Sequence, residues 1–283
     1  MIELLTLPFM VRALIAAAVT GLAAPTIGTY LVQRRLALLG DGLGHVAVTG
    51  VALGLLTGTS PTWFAVVVAV LGAVGIEVIR ERGHTSGDVA LALLFYGGLA
   101  GGVLITGLAG QTASRLHEYL FGSVTSVSAA DVATTVVLAA VVVATCLALL
   151  PQLFAVSQDP DFARVAGVRV RLYNLLVAVL AAVTVTVAMR TVGLLLVSAL
   201  MVVPVATAQQ LTRSFRTTVG AAMALGLVAS LGGLVLAAYL SLVPLEVAPG
   251  PTIVLLSLAG FALAWPVGVW RRTHARRTPE VAR

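Results

Sequence analysis

The sequence contains no lysine, because all 17 of its basic residues are arginine. A P-loop requires a lysine before its final hydroxyl residue, so the chain has no such nucleotide-binding motif. The same absence excludes catalysis through a lysine Schiff base. Neither the HExxH pattern of zinc proteases nor the GxSxG pattern of serine hydrolases occurs in the sequence. Any ATP hydrolysis coupled to this chain must therefore belong to a separate subunit.

Charge is also scarce. Charged residues make up 10% of the chain and hydrophobic residues 59%, and the mean hydropathy is +1.07. Soluble domains usually contain about 25% charged residues, and the apolar runs here are continuous rather than alternating, which argues against a β-barrel. The fold class is therefore all-α, a polytopic membrane protein in a lipid bilayer. The net charge of +6 does not indicate nucleic-acid binding, because the arginines lie at the ends of apolar runs.

Hydropathy predicts nine membrane spans in a single transmembrane domain, residues 1–283. The spans cover residues 10–32, 37–56, 62–79, 88–108, 131–155, 173–189, 192–208, 218–242 and 251–270. The first run lacks a basic n-region and a clear cleavage site, so we expect a retained helix. An eight-span arrangement stays open if the first segment lies in the interface or if spans 6 and 7 do not both cross. The single cysteine, Cys146, lies in an apolar run and is interpreted as a packing residue.

Arginine placement predicts the orientation of these spans. Of the 17 arginines, 14 fall in alternate connections and the C-terminal tail, and only Arg12, Arg115 and Arg190 fall on the other side. Because arginine-rich connections remain in the cytoplasm, we expect a cytoplasmic C-terminus and an outside N-terminus in a plasma membrane. The longest outer connection, residues 110–131, is apolar enough at Leu116, Tyr119, Leu120 and Phe121 for a short interfacial or re-entrant helix.

Asp41 and His45 are the most informative pair in the sequence. They lie four residues apart within an apolar run, so a helix places both side chains on one face. Ionisable groups inside a membrane are costly unless they face a cavity, a partner or a substrate. Carboxylate and imidazole are also ligands for divalent transition metals. The competing interpretation is a helix-start acid beside a hydrogen-bonded histidine.

A second pattern lies between spans 5 and 6. Asp159 followed by Pro160 is typical of a helix start, and Gly167 is a plausible stop. Phe162 and Val165 are three residues apart and predict a small apolar face. This helix is interpreted either as a solvated connection or as a docking element for a soluble partner. The candidate docking residues are Asp159, Pro160, Asp161, Phe162, Ala163, Arg164, Val165, Ala166 and Gly167.

Other charged residues have simpler interpretations. Asp88 and Asp131 are predicted to be first-turn acids of spans 4 and 5, which complement the helix dipole. Glu77 precedes Arg80 and Arg82 by about one turn, so we expect it to snorkel or to pair with them. His117 and Glu118 are interpreted as polar residues of the outer connection, with a metal site at the outer mouth as the alternative.

Five segments in order resemble one known family, the membrane permeases of zinc/manganese-type ABC importers, and most closely the bacterial high-affinity zinc-uptake permeases. The segments are LGDGLGHVAVTGVALG (39–54), YLFGSVTSVSAADV (119–132), DPDFARVAGV (159–168), VGLLLVSALMVVPVATAQQL (192–211) and APGPTIVL (248–255). In zinc permeases a histidine-serine pair often occupies span 4, whereas this chain has Phe95-Tyr96. Manganese-type permeases also lack that histidine, so both metals stay open.

The resemblance implies a homodimer of permeases, a cytoplasmic ATP-binding subunit and an extracytoplasmic metal-binding protein. It implies no enzyme activity and no permanently bound cofactor in this chain, with Zn²⁺ or Mn²⁺ as the transported substrate. Asp41 and His45 match the family's acid and histidine, interpreted as transient metal ligands or a gate on the metal path. The segment 159–168 resembles the coupling helix that contacts the ATPase.

Three other functions are weighed against this one. A stand-alone secondary cation transporter or channel is expected to hold more acids in mid-membrane, whereas most acids here lie near helix ends. The sequence lacks the motifs expected of an intramembrane enzyme. An importer of iron chelates or cobalamin belongs to the same general class and stays open.

Overall fold

The computed structural model describes residues 7–82, 87–110, 119–122, 127–241 and 247–275, and the side chains of 87, 88, 190, 191, 272, 274 and 275 are not described. Within these ranges the regular structure is entirely α-helical. The helices are α1 (Pro8–Gln33), α2 (Leu39–Leu56), α3 (Pro61–Glu81), α4 (Gly87–Leu108), α5 (Ala129–Ala148), α6 (Leu150–Gln158), α7 (Pro160–Val165), α8 (Val170–Val192), α9 (Leu194–Leu211), α10 (Phe215–Leu240) and α11 (Pro249–Ala275).

Nine of the helices in the described ranges are long and apolar enough to cross a membrane. They correspond one to one with the nine spans predicted from hydropathy. The fifth span ends earlier than predicted, since α5 stops at Ala148 and a separate helix, α6, begins at Leu150. Pro151 lies in the first turn of α6, where its missing N–H is tolerated, but it cannot continue the hydrogen bonding of α5.

The centre of the bundle is formed by α1, α2, α8 and α9, whose side chains are largely buried, whereas α4 and α5 are mostly exposed. Tyr30 is fully buried, and its hydroxyl donates to the Cys146 carbonyl at 2.9 Å. Cys146 is itself buried, which confirms its interpretation as a packing residue. The central position of α2 matters because this helix carries Asp41 and His45.

Helix α4 lies against α2 at very short range. A Cβ atom added at Gly98 would lie 2.6 Å from the backbone nitrogen of Val46, so only glycine permits this approach. The Thr49 hydroxyl completes the contact by donating to the Gly98 carbonyl at 2.6 Å. This packing brings the middle of α4, including Phe95, beside His45.

The arginine-rich connections meet at one end of the bundle. Arg34 after α1, Arg80 near the end of α3 and Arg169 before α8 line the same cavity. Arg12 lies near the start of α1 and donates to the Val127 carbonyl at 2.9 Å, away from that cluster. Five of the arginines predicted to lie on the cytoplasmic side therefore surround one cavity.

The described part of the long outer connection packs against the helices. Tyr119 and Leu120 contact the main hydrophobic core. Gly122 has a φ of 76° and meets the backbone of Val192 and Gly193, where a Cβ would clash. This contact is compatible with the predicted re-entrant segment, whose residue Leu116 lies outside the described ranges.

Candidate metal site

Asp41 and His45 lie on the same face of α2, one turn apart. Asp41 is in the first turn of the helix, and its Oδ1 atom is 3.9 Å from Nε2 of His45. The side chain of Asp41 is 28% exposed, whereas that of His45 is 10% exposed. The carboxylate therefore reaches an accessible surface while the imidazole points into the bundle, and the negative carboxylate favours a cation between them.

Two residues from other helices complete the surroundings. Ser198 of α9 directs its hydroxyl at Asp41 Oδ1, 3.5 Å away, which is the outer limit of a hydrogen bond. Phe95 of α4 packs edge to face against the imidazole, with ring centroids 4.3 Å apart. The Ser198 hydroxyl adds a third oxygen to the two of the Asp41 carboxylate. Phe95 holds the ring of His45 in place without offering a ligand atom.

The imidazole of His45 has an unsatisfied nitrogen. Among the described residues, Nδ1 of His45 is buried and has no hydrogen-bond partner. Leaving such a group unpaired in an apolar interior costs about 1–3 kcal/mol. The nitrogen that faces Asp41 is Nε2, so a cation between the two side chains would bind Nε2 and would leave Nδ1 without a partner.

The number of ligands in one chain is small. Within the described residues, no group of three or more His, Cys, Asp or Glu side chains is placed to hold a metal ion. Closed metal sites usually provide four protein ligands. One chain thus supplies a carboxylate, an imidazole and a nearby hydroxyl, a set suited to transient contact with a cation rather than permanent binding.

The remaining predicted acids lie elsewhere. Asp131 forms a capping box with Ser128, which confirms its interpretation as an early-turn acid. Glu77 does not snorkel; it is buried and pairs with Arg80 at 2.9 Å and with Arg34 at 3.3 Å. Its predicted partner Arg80 is confirmed, but Arg34 was missed, because that residue lies 43 positions away in sequence. His117 and Glu118 lie outside the described residues, as does the side chain of Asp88.

The segment after α6 forms the predicted capped helix. Oδ1 of Asp159 accepts hydrogen bonds from the backbone N–H groups of Asp161 and Phe162, at 3.1 and 2.9 Å. Gly167 has a φ of 82°, which fits the predicted stop. The helix itself is shorter than the candidate segment: α7 ends at Val165, and Ala166 and Gly167 form its C-terminal turn.

The two apolar residues of α7 face outwards. Phe162 is 67% exposed and Val165 is 89% exposed. The opposite side of the helix is anchored, because Ala163 is fully buried against Val156 and Val170. The result is a small apolar knob on a fixed base at the arginine-rich end of the bundle.

Ser198 and Phe95 were not identified as site residues from the sequence. Ser198 is 157 positions from Asp41, and it lies in an apolar helix where a single serine is unremarkable. Phe95-Tyr96 drew attention only through the family resemblance. No local spacing signal could have joined these residues to the pair on α2.

Comparison with known proteins places this chain in a family. The ABC 3 transport family matches residues 6–267. The high-affinity zinc uptake system membrane protein ZnuB of Haemophilus influenzae is 28% identical, over 89% of this chain and 95% of that protein. The manganese transport system membrane protein MntC of Halalkalibacterium halodurans is 31% identical, over 93% of this chain and 88% of that protein.

A solved structure agrees with these relatives. PsaBC from Streptococcus pneumoniae in complex with Fab superposes with a TM-score of 0.83 at 29% identity, over 93% of this chain and 94% of that one. The likeness extends over nearly the whole chain. This chain is a member of the ABC 3 transport family.

Proposed function

We propose that this chain is the membrane permease subunit of an ATP-driven importer of a divalent transition metal, either zinc or manganese. The observation that carries the proposal is the Asp41–His45 pair on the central helix of a chain that belongs to the ABC 3 transport family. Relatives named for zinc uptake and for manganese transport align over most of the chain. Carboxylate with imidazole accommodates both metals.

The pair is proposed to act as a passing site. A transport site must release its ion, so two side chains that hold it briefly serve better than a closed cage of four ligands. Asp41 supplies charge at the accessible edge, and His45 supplies a nitrogen ligand deeper in the bundle. Ser198, near Asp41, is placed to replace a water of the hydrated ion during passage.

A second copy of the chain would complete the site. Two protein ligands per chain become four across a two-fold axis, and the partial exposure of Asp41 leaves room for that approach. We therefore propose a homodimer of permeases in which the metal crosses between the copies. The expected species is a dimer in detergent or nanodiscs.

The exposed knob of α7 is proposed as the contact for the ATPase. Phe162 and Val165 are apolar and exposed on a helix whose base is buried, so closure of a bound partner would move the helix and α8 together. ATP hydrolysis belongs to that cytoplasmic subunit. An extracytoplasmic metal-binding protein is proposed to deliver the metal at the opposite end, with the C-terminus in the bacterial cytoplasm.

Reconstitution tests the class of transporter directly. Proteoliposomes containing this chain with its ATPase and metal-binding protein should accumulate radioactive zinc or manganese only when ATP is present, and competition between the metals should identify the substrate. Proteoliposomes with an ATPase variant that cannot hydrolyse ATP are the matched control. Uptake by this chain alone without ATP would instead identify a secondary transporter or channel and would overturn the proposal.

A further inference from the structure

A large cavity opens at the arginine-rich end of the bundle, and neither Asp41 nor His45 lines it. Its volume is about 1040 Å³, and it lies between the ends of α1 and α3 and the connection from α7 into α8. Its lining contains five arginines and two glutamates: Arg34, Arg80, Arg164, Arg169, Arg171, Glu77 and Glu81. The excess of three positive charges makes it unsuitable for a metal cation and favourable for an anion.

The floor of the cavity has more positive than negative charge. Glu77 is the buried acid there, with a side chain 5% exposed, and its two carboxylate oxygens are shared between Arg34 and Arg80. One carboxylate balances only one of two guanidinium groups. Burial lowers the pKa of Arg34, and the Glu77 carboxylate opposes this shift. The cost of burying the Arg34 charge is therefore only partly compensated. A further anion in the cavity would compensate this excess.

The rim offers more donors. Arg171 pairs with Glu81 at 2.8 Å and Arg164 pairs with Asp161 at 3.0 Å, whereas Arg169 is exposed and forms no ion pair with any described residue. Asn174 also lines the cavity, and its side-chain amide can donate through the N–H groups of Nδ2. Guanidinium groups bind phosphate through paired N–H donors, and an amide adds a neutral contact.

The position of the cavity relates it to the bilayer. Arg34 and Glu81 lie directly at the ends of helices that are long enough to span a membrane. Exposed apolar side chains stand beside it, Leu172 on its lining and Ile79 near the end of α3. Basic pockets at the ends of membrane helices are typical binding sites for the headgroups of anionic lipids.

We propose that this cavity binds the phosphate headgroup of an anionic phospholipid, with the acyl chains lying beside Leu172 and along the exposed apolar surface of α3. Arg34 and Arg80 provide the buried charge, and Arg169 and Arg171 close on the phosphate from the rim. The assignment of this lipid to the cytoplasmic leaflet rests on the proposed orientation. The cavity also borders α7, so a bound lipid would help to hold the base of the proposed coupling helix.

Native mass spectrometry of the purified full chain tests the site. The chain is released from nanodiscs that contain phosphatidylglycerol and phosphatidylcholine in equal amounts, and the retained lipids are counted. We expect preferential retention of phosphatidylglycerol. The preference should fall by about 25-fold in the double variant R169Q/R171Q, since each arginine near a phosphate contributes about fivefold. The matched control is R213Q/R216Q, which removes the same charge from two exposed arginines, one in the connection between α9 and α10 and one in the first turn of α10.

The outcomes separate the alternatives. An unchanged lipid preference in R169Q/R171Q, or an equal loss in R213Q/R216Q, would overturn the proposal. So would displacement of the lipid by millimolar inorganic phosphate, which would indicate a site for free phosphate. Loss of ATPase binding with unchanged lipid preference would identify a partner surface instead.

The single variant R169Q, which removes an exposed and unpaired side chain, keeps the test valid if the double variant misfolds. Because the assay uses the permease alone, its failure is distinct from failure of metal transport.

Discussion

Glu77 and His45 are both buried polar side chains, yet the structure satisfies them differently. Glu77 uses both carboxylate oxygens on arginines from two helices. His45 has one nitrogen towards Asp41 and another with no partner among the described residues. The first arrangement is closed and stabilises the junction of α1 with α3. The second is open and fits a group that meets a passing ligand.

Substitution of Glu77 by glutamine should therefore reduce stability. The amide cannot balance two partly buried guanidinium groups, and breaking a buried ion pair from one side costs about 3–5 kcal/mol. We expect a clear decrease in the apparent Tm of the purified protein in detergent. Glu81→Gln is the control, because its partner Arg171 is largely exposed and such a pair contributes about 0–1 kcal/mol. Equal Tm values for the two variants would contradict this role of Glu77.

Sequence patterns predicted the Asp41–His45 pair because both residues lie within one helical turn. They could not predict Ser198, Phe95 or the Arg34–Glu77 ion pair, because each of these contacts joins different helices. Local spacing specifies which residues share a face, whereas contacts between helices depend on packing.

Close packing between α2 and α4 requires a glycine at position 98 but not at position 97. A Cβ at Gly98 would clash with the backbone of Val46, whereas a Cβ at Gly97 would meet open space. Helices this close are held by van der Waals contact rather than by a hydrophobic driving force, so small residues decide the distance. The separation of α2 and α4 in turn fixes Phe95 against His45.

Gly98→Ala should accordingly destabilise the protein by about 1–3 kcal/mol, since overpacking forces the helices apart. Gly97→Ala should be neutral or slightly stabilising, because alanine has the better helix propensity. Thermal unfolding of the two purified variants compares adjacent positions of one helix. A greater loss of stability in Gly97→Ala than in Gly98→Ala would contradict the observed packing.

In the short helix α7, the residue that stabilises the helix differs from the residue proposed to bind the partner. Asp159→Ala removes the cap and should cost about 1 kcal/mol. Phe162→Ala removes an exposed side chain, so it should leave the Tm unchanged but weaken co-purification of the ATPase. Leu38→Ala is a matched control, because Leu38 is also an exposed apolar residue in a connection at the arginine-rich end. Normal ATPase binding by Phe162→Ala would exclude the knob as the contact.

Hydropathy predicted the spanning helices well because continuous apolar length is a strong and local signal. It merged α5 with α6, since leucine, phenylalanine and valine continue beyond the break and only Pro151 marks it. The Asp-Pro start and glycine stop placed the end of the proposed coupling segment at Gly167, because the αL residue that ends a helix lies one or two positions beyond the last helical residue.

The orientation of the bundle in the membrane is a property of the whole molecule. The clustered arginine connections predict that one end of the bundle faces the cytoplasm. In a Cys146→Ala background, Thr59→Cys should react with a membrane-impermeant maleimide in intact cells, and Arg216→Cys should react only after permeabilisation. Both positions are exposed, so accessibility within the fold does not bias the result. The reverse labelling pattern would contradict the proposed orientation.

The central claim is that metal crosses the membrane past Asp41 and His45. The most direct measurement is ATP-dependent uptake of radioactive zinc or manganese by proteoliposomes that contain equal amounts of wild-type, Asp41→Ala or His45→Ala permease with its partners. His274→Ala, in the last turn of α11, serves as the histidine control. We predict at least a tenfold loss of uptake in both site variants, which corresponds to a free-energy difference of about 1.4 kcal/mol or more. Uptake should be retained in the control. Unchanged uptake in Asp41→Ala and His45→Ala at normal protein levels would contradict the claim.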